Sequence, residues 1–367
     1  MDLNVYGAWG NLGFGNVTRN ISRSLSDLSY NIAGHTVGGS VHADDKEEEQ
    51  FLKDVFLRGQ TNFPLNSPTI KIWHPSSASL TITRPYLFFT MFELNRLTEV
   101  EKHHLKHPDY LISPSKWSQE IILRETGRKS LVVPLGINPN IFYPKEVKQT
   151  NNTYNFITMG KYEKRKNHHL IPDLFAKAFT KKDDVALNVL CSNPFYTQQK
   201  IQNWENLYKN SPLGEKIFIL PHLQTQYQVA DLLRSIDCGL YISSGEGWNL
   251  PLLETISCNK PVITTNYSGH TEFCTEENSL CINDDEDELE LADDAVEGVM
   301  GRKWFDPNNG GEWLKITPSM EERAIEHMRY CFKERLNTNE AGIATGKKYT
   351  WLNSARSLVK ILEEIGE

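Results

Sequence analysis

Cysteine is scarce in this chain. Only six of the 367 residues are cysteine, none comes before Cys191, and the closest pair, Cys274 and Cys281, stands seven positions apart. Neither a disulfide framework nor a C-x-x-C redox or metal site can be read from that spacing. Long apolar runs are missing too: nowhere do about 18 apolar residues follow one another, as a membrane span requires. The opening residues, Met1 to Gly7, lack the basic and apolar regions of a secretion signal. The expectation is a soluble, cytoplasmic protein, with the Asn-x-Ser/Thr tripeptides at Asn16, Asn20, Asn151 and Asn266 unglycosylated. Excess positive charge is also absent. Lys plus Arg number 39 against 47 Asp plus Glu, a net charge of −8, so no nucleic-acid partner is expected.

What the chain does have is alternation. In the first part, β-rich runs at Leu3–Tyr6, Thr69–Trp73, Tyr86–Thr90, Tyr110–Ile112 and Ser130–Val133 are separated by helix-like stretches at Val17–Leu28 and Ser115–Glu125. Asn16 reads as the N-cap of the first helix. A polar stretch, Pro144–Tyr154, has no apolar period and reads as a domain connection. Beyond it the alternation restarts with runs at Phe156–Met159, Val185–Cys191, Ile217–Leu220, Cys238–Ile242 and Pro261–Thr264. The pattern predicts two α/β domains, residues 1–148 and 149–348, each built on a parallel sheet. A last helix over 349–367 carries Trp351, Ala355, Leu358, Leu362 and Ile365 on one face. The acidic run Asp284–Asp294 reads as a solvated surface. Its Asp285-Glu286-Asp287 formally matches a metal-binding Asp-x-Asp, but no apolar strand precedes it, and it is discounted.

Three loops sit where a strand ends and a helix begins, the edge at which open α/β sheets bind ligands. The first, Gly10-Asn11-Leu12-Gly13-Phe14-Gly15-Asn16, fails the dinucleotide pattern because Thr18 occupies the third glycine position. The second, Gly160-Lys161-Tyr162-Glu163-Lys164-Arg165-Lys166-Asn167, puts lysines at a strand end, where they can serve a phosphate as point charges. The third runs from Ser243 to Glu254. Asn249 reads as an N-cap there, Pro251 fits the first helical turn, and amides near Asn249 and Leu250 can face an anion. Glu246 before that helix and Glu254 within it suit hydroxyl groups or cations.

The segment Glu246–Glu254, continued by Cys258–Ile263 and Ser268–Phe273, resembles the Glu-x7-Glu region of retaining GT-B glycosyltransferases, above all glycosyltransferase family four. Gly160-Lys161 with Lys166-Asn167 resembles that family's Gly-Arg-x4-Lys phosphate loop, and Gly13-Phe14-Gly15-Asn16 its N-terminal glycine loop. The resemblance implies two Rossmann-like domains facing each other across a cleft, with the last helix returning to the first domain. It implies that Lys161 and Lys166 hold a donor diphosphate, Glu246 the transferred sugar and Glu254 the ribose. Gly13, Gly15, Trp248, Asn249, Leu250 and His222 would complete the donor site. No metal or cofactor is implied beyond a nucleotide-diphosphate sugar, most simply a UDP-sugar, with a saccharide or lipid-linked acceptor.

Lys161 replaces the family's usual Arg, and Phe92 stands where many members have His. Glu93, Phe92 and Trp9 are the acceptor-side candidates, and Trp9, Phe14, Trp73, Phe92 and Trp248 are candidates to line a sugar platform, against core packing as the commoner fate of aromatics. His103 and His107, four apart, read as surface residues because Pro108 ends the helix. Arg124, Arg128 and Lys129 leave weak peripheral membrane contact open. Competing readings are a GT-B epimerase or phosphorylase, or a nucleotide-sugar-binding protein without activity.

Overall fold

A computed structural model of the chain describes residues 1–147, 152–294, 296–297 and 303–366. The first domain runs β1 (Asp2–Gly7), α1 (Gly13–Asp27), β2 (Asn31–Thr36), α2 (Lys46–Thr61), β3 (Thr69–Ile72), β4 (Tyr86–Phe89), α3 (Glu99–His104), β5 (Tyr110–Ser113), α4 (Lys116–Thr126) and β6 (Leu131–Val132). Its six strands are all parallel, in the order β2-β1-β3-β4-β5-β6. Every residue of β3 and β4 is buried, as a parallel sheet covered on both faces requires.

The second domain follows with β7 (Tyr154–Lys161), α5 (Ile171–Ala178), β8 (Val185–Ser192), α6 (Gln198–Lys209), β9 (Ile217–Ile219), α7 (Gln226–Ser235), β10 (Cys238–Tyr241), α8 (Leu250–Ser257), β11 (Val262–Thr264) and β12 (Leu280–Cys281). Its parallel sheet is ordered β12-β11-β10-β7-β8-β9. Short strands β13 (Leu289–Leu291), β14 (Val296–Glu297), β15 (Lys303–Trp304) and β16 (Glu312–Leu314) come next, with β13 antiparallel to β16 and β14 to β15. Three helices close the chain: α9 (Pro318–Glu334), α10 (Glu340–Lys348) and α11 (Trp351–Gly366).

α11 packs along α1. Ile137 pairs with Thr350, and the Ser354 hydroxyl donates to the Pro134 carbonyl at 2.6 Å. One apolar core joins the domains: Ile21 and Leu25 of α1, Leu358 and Leu362 of α11, and Leu252 and Leu253 of α8 are all members.

Several readings need correction. Asn16 lies inside α1, whose N-cap is Leu12, so the glycine loop itself forms the first helical turn. β2, α2, α3, α9 and α10 were not among the expected elements: in β2 (NIAGHT) glycine and polar residues interrupt the apolar run, and α2 buries only Leu52 and Val55. The acidic run is a largely exposed surface, as read; it also contributes β13, and the Asp294 carboxylate accepts the Lys164 amide at 2.7 Å. The expected domain boundary, between 148 and 149, and Asn151 lie outside the described residues.

Candidate active site

Each sheet has one point where strand order reverses, between β1 and β3 in the first and between β7 and β10 in the second. Ligand crevices form outside the carboxyl ends of strands at such points. The glycine loop follows β1, the lysine loop follows β7 and the Ser243–Asn249 loop follows β10, so all three predicted loops stand at these crevices. The two edges meet directly. A Cβ on Gly245 would lie 2.6 Å from the Glu93 carbonyl oxygen, and one on Gly247 would lie 3.1 Å from Met91 Cβ.

A buried charge cluster ties the second domain's loops together. Lys166 Nζ lies 2.5 Å from Glu246 Oε1, and Ser243 Oγ donates to the same oxygen at 2.8 Å. The Arg165 guanidinium reaches Glu246 Oε2 at 2.9 Å, the Gly245 carbonyl at 2.7 Å and Glu163 Oε2 at 2.7 Å, and it stands 3.8 Å from Glu93 of the first domain. Lys161 pairs with the other Glu163 oxygen at 2.5 Å. Asn167, in the left-handed conformation, donates to the Ile242 carbonyl and the Ser244 hydroxyl and so fastens the lysine loop to the β10 loop.

Burial opposes ionisation of Glu246, but the cations of Arg165 and Lys166 outweigh it and hold the carboxyl well below the usual range. Glu163 is held low by the same balance, against Arg165 and Lys161. Glu93 goes the other way: burial raises it, ahead of the opposing pull of Arg165 and Lys161. Among the described residues no cation pairs with Glu254. Burial first, and the negative charge of Asp44 second, push it up to about 8.

Asp44 comes from the first domain. Its carboxylate accepts the Gln226 amide at the start of α7 at 2.9 Å, and it pairs with buried Arg19 of α1 at 3.4 Å. The neighbouring Asp45 accepts the Tyr227 hydroxyl at 3.1 Å. On the other flank Asn95 and Glu312 exchange side-chain and backbone hydrogen bonds across the domains, and the Lys116 amide donates to Glu272 at 2.9 Å.

Asn249 and Leu250 occupy the N-cap and first position of α8 as expected. The Asn249 side chain does not cap the helix; its Nδ2 is buried without a hydrogen-bond partner among the described residues, a donor open to a ligand acceptor. A Cβ on Gly13 would meet nothing within 4 Å, whereas one on Gly15 would strike Gly10 backbone at 2.2 Å. Gly13 therefore borders open space, and Gly15 is required for loop closure. His222 stands 3.3 Å from Asn11 of the glycine loop.

Three aromatic candidates are displaced. Trp9 is fully buried, with its ring edge against Phe56 and its Nε1 donating to the His35 carbonyl, so it forms no sugar platform. Phe92 packs against Trp117 in the core. The Trp248 ring likewise packs in the core, against Phe273 and Tyr349, with its Nε1 buried and without a hydrogen-bond partner among the described residues. In each case apolar burial outweighs exposure of a large ring. The basic trio is also largely engaged: Arg124 pairs with Glu125, and Arg128 donates to the Leu105 and Asp109 carbonyls. Sequence reasoning missed Arg165 and Asp44. Arg165 was hidden in a cationic run that reads as solvated, and Asp44 in a loop with no periodicity. Among the described residues no group of three or more His, Cys, Asp or Glu could hold a metal ion, and no helix is long and apolar enough to cross a membrane.

Residues 141–296 match the family model of glycosyl transferases group 1. Solved structures extend the likeness to the whole chain. Sucrose-phosphate synthase from Thermosynechococcus elongatus superimposes with a TM-score of 0.69 at 14% identity, covering 100% of this chain and 99% of its own. The chain has the GT-B fold. Anabaena HepE in complex with UDP-glucose shares it at a TM-score of 0.69 and 11% identity, over 99% of this chain and 100% of that one. WaaG, a glycosyltransferase involved in lipopolysaccharide biosynthesis, shares it at 0.64 and 11% identity, over 99% of each chain. By sequence, an uncharacterized glycosyltransferase of Methanocaldococcus jannaschii is 22% identical over 270 residues, 72% of this chain and 62% of that protein. That alignment spans less than two thirds of the relative's length. In this GT-B frame, the lysine loop and the Glu246–Glu254 loop lie within the residues the family model matches.

Proposed function

We propose that the chain is a glycosyltransferase that moves a sugar from a nucleotide-diphosphate donor, a UDP-sugar in the simplest case, to a hydroxyl of a saccharide or lipid-linked acceptor, with retention and without metal. The observation that carries this reading is the ionised, buried Glu246 held by Lys166 and Arg165 at the sheet edge that meets the first domain. Family resemblance and the group 1 match support the same assignment.

In this reading the donor diphosphate draws Lys161 and Lys166 toward its oxygens, and Glu246 binds hydroxyls of the sugar. Glu254 faces the ribose. The bond between C1 and the phosphate oxygen breaks while C1 bonds the acceptor oxygen on the same face, and the acceptor's proton passes to the departing phosphate oxygen. Positive charge from the lysines and amides at the start of α8 offsets the negative charge that develops on the leaving group. Contact between the domains excludes water that would hydrolyse the donor.

Calorimetric titration of the metal-free protein with UDP, GDP and their sugars, followed by donor turnover, tests the reading. UDP binding that is lost in Lys166→Ala supports it. Glu246→Ala is expected to lower turnover by about 100-fold or more with UDP binding retained, as for removal of one electrostatic partner of a transition state. Wild-type turnover in that variant removes Glu246 from the reaction. Release of an epimerised nucleotide sugar without an acceptor would instead identify an epimerase.

A further inference from the structure

Folding brings four of the six thiols into two contacts that their spacing in the chain does not show. Cys238 meets Cys331, and Cys274 meets Cys281. The two pairs differ in access. Cys238 and Cys331 are fully buried in the core of the second domain. Cys274 is 4% exposed, whereas Cys281 is partly open and packs on the core cluster that contains Cys274.

A turn builds the second pair. The Asn278 amide donates to the Thr275 carbonyl at 3.2 Å, and the Asn278 side chain accepts the Thr275 amide at 2.9 Å and donates to the Phe273 carbonyl at 2.8 Å. The chain thus reverses after Cys274, and β12 returns Cys281 beside it, fixed opposite Thr264 in the ladder with β11. The Cys274 thiol donates to Cys281. That hydrogen bond outweighs burial and the Glu276 carboxylate and holds the Cys281 thiol below its ordinary value, while Cys274 is raised. A partly exposed sulfur with thiolate character, beside a second sulfur, is the arrangement from which thiol–disulfide exchange proceeds.

Cys274 also ends the segment that supports the Glu246 loop. The Glu246 amide donates to Ser268 Oγ at 2.8 Å, and the Gly269 amide donates to the Glu246 carbonyl at 2.9 Å. A Cβ on Gly269 would lie 2.2 Å from the Gly247 carbonyl oxygen, so no slack separates the two backbones. The Cys274 amide donates to the His270 carbonyl at 2.9 Å, and the neighbouring Phe273 ring packs on Trp248 with centroids 5.0 Å apart. A disulfide bond is shorter than any contact between two thiols. Its formation therefore draws Cys274 toward β12 and shifts the support beneath Glu246.

We propose that Cys274 and Cys281 form a reactive dithiol that a low-molecular-weight disulfide, such as oxidised glutathione, converts to a Cys274–Cys281 disulfide, displacing the Glu246 loop and lowering transfer. The Cys281 thiolate attacks one sulfur of the reagent; the reagent's S–S bond breaks, and one small thiolate leaves. The Cys274 sulfur, giving up its proton to solvent, then attacks Cys281 in the mixed disulfide and releases the second small thiolate. Two cysteine thiols are oxidised by two electrons, one reagent disulfide is reduced to two thiols, and the protons lost by the cysteines end on those thiols. Bond formation is independent of the glycosyltransferase reading, and the effect on transfer rests on it.

The test treats the full chain with oxidised glutathione, blocks remaining thiols with iodoacetamide and digests with a glutamate-specific protease. Cleavage after Glu272, Glu276 and Glu277 separates Cys274, in residues 273–276, from Cys281, in the peptide that starts at Asn278. Mass spectrometry is expected to find these two peptides joined, with Cys238 and Cys331 alkylated. Turnover of a UDP-sugar is expected to fall about tenfold or more, since a small misplacement of reacting groups is costly, and to recover with dithiothreitol. Cys281→Ser, and Cys274→Ala as a second variant, should keep their turnover in the presence of the reagent. The proposal is overturned if the peptides stay separate, if Cys281 carries only a glutathione adduct, or if Cys238 and Cys331 join at the same rate, which would tie the reaction to unfolding. A joined pair with unchanged turnover overturns the link to Glu246. Should the reduced chain turn over no UDP-sugar, the donor reading falls, and the joined peptides still decide the dithiol.

Discussion

Glu246 and Glu254 flank one signature with seven residues between them, yet they hold opposite protonation tendencies. The difference lies in their neighbours: two cations touch Glu246, while Glu254 has burial and the Asp44 carboxylate. A carboxyl raised in the folded state binds its proton more tightly than the unfolded chain does. Its stabilising contribution is therefore complete below the unfolded value near 4.5 and is lost as pH rises toward about 8. Glu254→Gln is expected to remove that loss, so its melting temperature relative to the parent should rise steadily between pH 5 and 8. A pH-independent difference in thermal melts would show that Glu254 does not titrate in this window. Arg165 touches Glu246 and the Gly245 carbonyl through one terminal guanidinium nitrogen and Glu163 through the other, a planar fork that a single ammonium cannot reproduce. Arg165→Lys should keep the charge and still lower donor turnover about tenfold or more; unchanged turnover would show that charge alone suffices there.

At the scale of elements, the glycine loop divides into two duties. Gly15 packs against Gly10 backbone, and Gly13 stands beside empty space. Gly15→Ala forces backbone apart and should destabilise the fold by about 1–3 kcal/mol, the usual cost of overpacking. Gly13→Ala should leave the melting temperature nearly unchanged while weakening UDP-sugar binding by partly filling the space. Equal melting temperatures for the two variants would contradict this division. The sequence placed the strands of both domains within a residue or two at most positions, because buried parallel strands are compact apolar runs. It gave no element for β2, α2, α3, α9 or α10: glycine and polar residues interrupt the β2 run, and α2 buries two residues and α3 none, so packing, not pattern, selects their conformation.

Across the whole molecule, the chain crosses from the second domain back to the first at Tyr349–Trp351. The Ile137 amide donates to the Tyr349 carbonyl at 3.0 Å and the Trp351 amide to the Ile137 carbonyl at 3.2 Å. Gly136 makes this crossing possible, since a Cβ there would lie 2.1 Å from a Thr350 backbone carbon. Gly136→Ala should lower the melting temperature by about 2–6 °C, with faster amide exchange concentrated in α11. Exchange that stays slow in α11 would show that the crossing yields without releasing the helix.

Alternating apolar periods and the order of the Gly13, Lys161, Lys166, Glu246 and Glu254 motifs were legible in the sequence, because local pattern and chain order need no partner. They determined the two α/β domains and which loops stand at strand ends. Tertiary structure decided everything that depends on neighbours brought from afar. It buried Trp9, Phe92 and Trp248 and left Phe14, Trp73 and His74 partly open, a distinction that composition cannot make because all are large rings. It also converted Arg165 from one cation in a run into the hub of three carboxylates, and set Asp44 from the first domain against Glu254 of the second. Charge state in a buried cluster depends on distances of a few ångströms between residues up to 210 positions apart in the chain, and only folding sets those distances.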